Sequence, residues 1–180
     1  GIEVGTEKAW ELCEQFNLPR LIFVTKMDDD HASYRELVLK LETRFGRKIA
    51  PFQLPIRENE KFVGFVNVVK MAGRRFTNLS DYEECEIPEY VQKNLGIARE
   101  ALMEAVAETS EEYMERYFSG EEFTQEEISA ALRTFVIDGS IVPVMMGSGI
   151  NCQGFRVLLQ AIDKYFPSPD KYECVGVDVS

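Results

Sequence analysis

Histidine occurs once in the 180 residues, at His31, and the four cysteines (Cys13, Cys85, Cys152 and Cys174) stand at no two- or four-residue spacing. A zinc centre needs several such ligands in short-range pairs, so the chain has almost no ligand set for one, and no metal site is expected. Nor do these cysteines form a disulfide framework; they read as reduced thiols in a cytoplasmic protein. No apolar run approaches the roughly 18–20 residues of a membrane-spanning helix, and no secretory signal pattern opens the chain, so no membrane partner is expected. Basic residues are outnumbered, 20 Lys and Arg against 31 Asp and Glu, for a net charge of −11. That balance excludes counterion release onto a nucleic-acid backbone as the main source of affinity and favours a basic protein partner. An initiating Met is also missing. Gly1-Ile2-Glu3-Val4-Gly5 runs straight into a helical pattern, so the chain is expected to be an excised piece of a longer one.

What is present reads as alternating strands and helices, enough for one sizeable core or one core plus a small lobe. Ala9, Trp10, Leu12, Cys13 and Phe16 recur at helical spacing over residues 5–16, and Asn17-Leu18-Pro19 stops that helix. Leu21 to Val24 is a continuous apolar run suited to a strand covered on both faces. Tyr34, Leu37, Val38, Leu41 and Phe45 predict an amphipathic helix that Gly46 ends. Residues 49–56, with Pro51 and Pro55, predict one irregular or edge strand, pairing antiparallel with a second over 62–71. Residues 77–88 are polar and acidic and read as a surface loop. Two helices are expected within 89–118, the second started by a Thr109-x-x-Glu112 capping box, and a third is capped by Thr124 with Glu127. Ile141 to Met146 is another buried-strand run, followed by Gly147-Ser148-Gly149 and a helix over about 154–166. The aromatic set Trp10, Phe16, Phe23, Tyr34 and Phe45 is assigned to the core. His31 reads as a helix-start residue without chemistry, and Arg74 and Arg75 as exposed at a tip. The economical architecture is an α/β layer with an α+β insertion.

Ligands of an open parallel sheet bind beyond the carboxyl ends of its strands. Two such tips stand out, Thr25-Lys26-Met27-Asp28 and Gly147-Ser148-Gly149. A carboxylate at such a tip accepts paired hydrogen bonds from a ring N–H and an exocyclic amine, the donor pair of guanine and not of adenine, and a neighbouring Lys can lie across the base. The Lys-X-Asp tripeptide also reads as a solvated loop in which Asp28 to Asp30 cap the next helix.

Val24-Thr25-Lys26-Met27-Asp28 resembles the Asn-Lys-X-Asp guanine motif of GTPases, and Gly147-Ser148-Gly149 resembles their Gly-Ser-Ala loop. Between them Gln53-Leu54-Pro55-Ile56, Phe62-Val63-Gly64, Glu86-Ile87-Pro88, Glu104-Ala105-Val106-Ala107-Glu108, Met114-Glu115-Arg116-Tyr117 and Ile141-Val142-Pro143-Val144 are similar, in order, to bacterial elongation factor G. Other ribosomal GTPases share the two nucleotide motifs but have insertions less like this one. The resemblance implies an α/β fold: a partial P-loop GTPase-type parallel sheet from residues 1–48 and 136–180, with an inserted α+β subdomain (G-prime) over 49–135. It implies that Asp28 binds the guanine ring N–H and amine, that Lys26 packs on the base, that the Gly149 amide meets the guanine carbonyl, and that Ser148 steadies that loop. Thr25 stands where the family has Asn, and a hydroxyl cannot reproduce an amide's paired donor and acceptor. Gly149 stands where it has Ala. Both departures suggest a divergent paralogue.

No Gly-Lys-Ser/Thr phosphate loop and no Asp-x-x-Gly switch occurs in the 180 residues. GTP, GDP and Mg2+ are therefore expected with the full-length protein, where hydrolysis drives translocation on the ribosome, and neither bound nucleotide nor hydrolysis is expected of this piece. Glu100, Glu104, Glu108, Glu111 and Glu115 form an acidic stripe if the helical path is nearly continuous, within a stretch, 89–127, holding eleven Glu against Lys93, Arg99 and Arg116. The plain reading of such a run is a solvated helix face. The resemblance implies instead a surface for the basic ribosomal stalk protein, and the alternative function is an interaction module of that kind with nucleotide binding lost. Leu21 to Val24 and Ile141 to Val144 are expected to expose apolar sheet and so to drive self-association.

Overall fold

The protein is described by a computed structural model over residues 2–29, 33–78 and 81–171; His31, Asp30 and Cys174, named above, lie outside the described residues. In chain order the elements are α1 (Val4–Gln15), β1 (Ile22–Val24), α2 (Tyr34–Phe45), β2 (Ile49–Pro51), β3 (Gln53–Glu58), β4 (Lys61–Asn67), β5 (Ala72–Phe76), β6 (Tyr82–Cys85), α3 (Glu89–Ala107), α4 (Glu111–Ser119), α5 (Gln125–Ile137), β7 (Val142–Met146) and α6 (Phe155–Tyr165). They form a mixed α/β fold with two sheets. One is parallel, in the order β1-β7-β2; the other is antiparallel, in the order β3-β4-β5-β6.

Side chains alternate across a strand, so β7 divides its residues between two cores. Val142, Val144 and Met146 pack with Trp10, Met27, Tyr34, Val38 and Leu41 under α1 and α2. Ile141 and Met145 face the other way, onto Leu132, Val136, Val157 and Tyr165 from α5 and α6, in a core that continues through Phe65, Val66, Leu95 and Val106 to the antiparallel sheet and α3. β7 is thus the buried centre of the parallel sheet, which corrects the expectation that Ile141 to Val144 lie exposed; β1 is an edge strand.

The single strand expected over 49–56 is two strands in different sheets. Phe52 is the joint: its N–H donates to the Val144 carbonyl of the parallel sheet at 3.1 Å, and its carbonyl accepts from Val68 N–H at 3.0 Å beside the antiparallel one. Past that joint β2 no longer pairs with β7, and the Gln53 side-chain oxygen accepts the Met146 N–H at 3.0 Å instead. Pro51 ends β2 and Pro55 sits in β3, where neither breaks the ladder. The expected loop over 77–88 contains β6. Its acidity hid it: Glu84 and Glu83 sit directly opposite Arg74 and Arg75 of β5, and the Arg74–Glu84 ion pair is 2.6 Å. The two arginines therefore lie in a strand and not at a tip.

Helix ends follow local capping chemistry. The Ser33 hydroxyl accepts the Glu36 N–H at 3.3 Å to start α2, and Gly46, at φ 88°, ends it. Thr124 and Glu127 form the reciprocal capping box of α5. At α4 the cap is Ser110, accepting Tyr113 N–H at 3.1 Å, one residue later than the Thr109 box implied. Phe16, assigned to the core, is 61% exposed because α1 ends before it, at Gln15.

Candidate guanine site

Parallel pairing sets Ile22, Phe23 and Val24 against Val144, Met145 and Met146, so β1 and β7 end level. The loops that leave them stay joined: Gly147 N–H donates to the Val24 carbonyl at 2.9 Å, and Met27 N–H donates to the Gly147 carbonyl at 3.2 Å. Backbone geometry requires two glycines here. A side chain on Gly147 would run into the Gln153 carbonyl and lie 2.6 Å from the Phe23 ring, and Gly154, at φ 87°, presses against the Met146 carbonyl.

Within the first loop, Lys26 takes a left-handed conformation, φ 59°, and its carbonyl accepts the Asp29 N–H at 3.1 Å. The turn sorts the side chains. Met27 is wholly buried in the core beneath α2, Thr25 and Lys26 are exposed, and Asp28 is half-buried and turned toward the second loop. Ser148 is fully buried there, and its hydroxyl donates to Asp28 Oδ1. The Ser148 hydroxyl oxygen also accepts Asn151 N–H at 3.3 Å, and the Ser148 backbone exchanges two 3.0 Å hydrogen bonds with Gln153. A carboxylate keeps several acceptor positions after one is filled, so Asp28 is fixed in place yet able to accept from a ligand. Gly149 follows directly, exposed, with open space where a Cβ would stand.

The structure therefore brings Asp28 and Ser148 into contact, sets Gly149 beside them, and leaves Thr25 and Lys26 on the solvent side of the same turn. A carboxylate held in this way can accept two adjacent donors. Among the described residues no cluster of three His, Cys, Asp or Glu could hold a metal ion. Three supporting residues were not legible in the motif: Met27, whose burial anchors the turn; Gln153, which closes the second loop; and Arg57 of β3, whose Nη2 donates to the Met27 carbonyl at 2.9 Å. Only Met27 gave a signal, an apolar residue in a polar run.

The five glutamates are all exposed, but the helical path between them is broken at Thr109-Ser110. Glu100 and Glu104 lie on α3, Glu108 caps it, and Glu111 and Glu115 lie on α4. α4 packs back against α3, and the Tyr117 hydroxyl is held above its ordinary pKa by burial and then by the charges of Glu104 and Glu100. Where α4 meets α5, Arg116 bridges Glu121 at 3.1 Å and Glu127 at 2.7 Å and lies over the Tyr113 and Phe123 rings. A surface hollow of about 320 Å³ between α1 and α2 lies apart from the loops, and the ion pairs Arg44–Glu7 and Lys48–Glu14, each 2.6 Å, line it.

Two comparisons bear on this geometry. The family profile described as the elongation factor Tu GTP binding domain matches residues 1–168. A crystal structure of a protein from Thermus thermophilus superposes with a TM-score of 0.85 at 35% sequence identity, over 95% of this chain and 26% of that one. The present chain thus spans about a quarter of the length of that relative.

Proposed function

Because the chain belongs to the elongation factor Tu GTP-binding domain family, whose members bind guanine nucleotides, we propose that it is the base-recognition part of a translational GTPase of the elongation factor G kind. Asp28 accepts the ring N–H and amine of guanine, Lys26 lays its stem along the base, Ser148 holds the carboxylate, and the Gly149 amide faces the base carbonyl. Thr25 stands at the entrance to the turn. The observation that carries the reading is the Ser148 hydroxyl on Asp28, which ties the two strand tips into one site. Magnesium and the phosphates are bound by the full-length protein, and the chemistry they supply, phosphoryl transfer to water, belongs there too. On this reading residues 2–51 and 138–171 form the GTPase layer and the chain from Phe52 through α5 is the insertion, its first boundary drawn where Phe52 changes sheets. The ribosome is the site of action.

The test is guanine selectivity. Asp28→Asn in the full-length protein turns one acceptor into a donor, and is expected to weaken GDP at least about 100-fold, the loss of two charge-assisted hydrogen bonds. Unchanged GDP affinity in the folded variant refutes the assignment.

A second reading, an interaction module that docks a basic ribosomal stalk protein, is favoured by the exposure of Glu100, Glu104, Glu108, Glu111 and Glu115. It predicts binding to a basic protein domain that weakens steeply with salt and is lost on charge reversal of those glutamates. Salt-insensitive binding counts against it.

A further inference from the structure

Arg57 belongs to the inserted region, in β3, yet its guanidinium reaches the base-reading loop. Nη2 donates to the Met27 carbonyl at 2.9 Å and to the Asp29 carbonyl at 3.4 Å, the two carbonyls that bracket Asp28, while Nη1 donates to the Glu60 carbonyl at 2.6 Å. Only a rigid planar fork serves three acceptors in this way; a lysine ammonium is a single point on a flexible stem. The arginine is itself held. β3 is the edge strand of the antiparallel sheet, and its register with β4 slips between Ile56, opposite Gly64, and Arg57, opposite Phe62, passing over Val63. The Tyr90 hydroxyl, from the first turn of α3, holds the Arg57 backbone by accepting its N–H at 2.8 Å and donating to its carbonyl at 2.9 Å. A connected path thus runs from α3 through Tyr90 and Arg57 to the carbonyls of Met27 and Asp29, the residues on either side of Asp28.

From this geometry we propose that Arg57 is a positioning residue for guanine recognition, and that through it the inserted subdomain takes part in base selectivity. The proposal rests on the reading of Asp28 as the base acceptor. Lys26 sits at a positive φ, in a short turn that Met27 anchors in the core and that Ser148 holds at the Asp28 carboxylate. The Arg57 fork holds the backbone of the same turn at Met27 and Asp29, and so sets where the Asp28 side chain leaves it. Misalignment of that carboxylate affects the paired donors of guanine most, because both hydrogen bonds need it in plane.

The experiment uses the full-length protein and compares GDP, ADP and IDP, the last lacking the exocyclic amine. Wild type, Arg57→Lys, Arg57→Ala and Tyr90→Phe are titrated calorimetrically, and thermal melts report the fold of each. The expected result is that Arg57→Lys lowers the GDP-over-IDP preference about fivefold to tenfold with the melting temperature little changed. Arg57→Ala does the same or more, and Tyr90→Phe shifts the ratio the same way by about twofold to threefold. A merely structural role lowers both affinities together and leaves the ratio alone; that result, with selectivity intact in the wild type, overturns the Arg57 proposal and spares the Asp28 reading. Absence of GDP-over-ADP preference in the wild type overturns both.

Discussion

Ser148 is buried without an apolar role, and its hydroxyl is spent on Asp28 and Asn151. Replacing it with Ala leaves the Asn151 N–H without this acceptor and loosens the carboxylate, so Ser148→Ala is expected to weaken GDP about tenfold, read by calorimetry on the full-length protein. Affinity within twofold of wild type contradicts this. The two loop glycines should respond oppositely to a methyl group. Gly149→Ala, the residue the elongation factor G motif carries, meets nothing within 4 Å and is expected to leave the melting temperature within about 2 °C. Gly147→Ala is driven into the Gln153 carbonyl and the Phe23 ring, a cost of about 1–3 kcal/mol at about 2–4 °C each. Equal melting temperatures for the two variants contradict that contrast. The placement of Lys26, Asp28, Ser148 and Gly149 at two neighbouring strand tips was legible beforehand, because they stand in short polar motifs that follow apolar runs. The contact of Arg57 was not, since it reaches Met27 across 30 residues, a separation that no local pattern encodes.

Among the elements, the α4–α5 turn is held by Arg116, Glu127 and the Thr124 cap, and each can be titrated or removed. Glu127 is held down to about 2 from an ordinary 4.5, first by the Arg116 hydrogen bonds and then by the Thr124 N–H. A depressed carboxylate contributes stability that is fully present above its unfolded value, near 4.5, and is lost as pH falls through about 2. The melting-temperature gap between wild type and Glu127→Gln should therefore narrow as pH drops across that window; a constant gap contradicts it. Thr124→Ala removes the cap and is expected to cost about 1 kcal/mol, measured by thermal denaturation at neutral pH. Elements with strong periodicity or caps, such as α2, α5 and β7, could be read from sequence. β6 could not, because an edge strand carrying Glu83 and Glu84 at its centre shows no apolar alternation; pairing with β5, the Arg74–Glu84 ion pair and the packing of Tyr82 and Cys85 on the core hold it.

For the whole molecule, β1 ends the parallel sheet, and Phe155, Leu159 and Ile162 of α6 form an exposed apolar row whose first ring lies 5.5 Å from Phe23 of that strand. An unpaired strand edge beside an apolar helix face invites pairing, so the isolated 180-residue chain is expected to self-associate. Sedimentation velocity over a wide concentration range reads this directly: a dimer growing with concentration is the expected outcome, and a monomer throughout counts against it. The parallel sheet, both cores and the two joined loops place Asp28 at the level ends of β1 and β7. The central claim is that these loops read guanine, and calorimetric titration of the full-length protein with GDP and with ADP in magnesium buffer, alongside Thr25→Asn, tests it most directly. The account predicts saturable GDP binding, no measurable ADP binding, and a change in affinity in the variant that reports what the hydroxyl costs. Equal binding of the two nucleotides, or binding of neither by a folded protein, contradicts it.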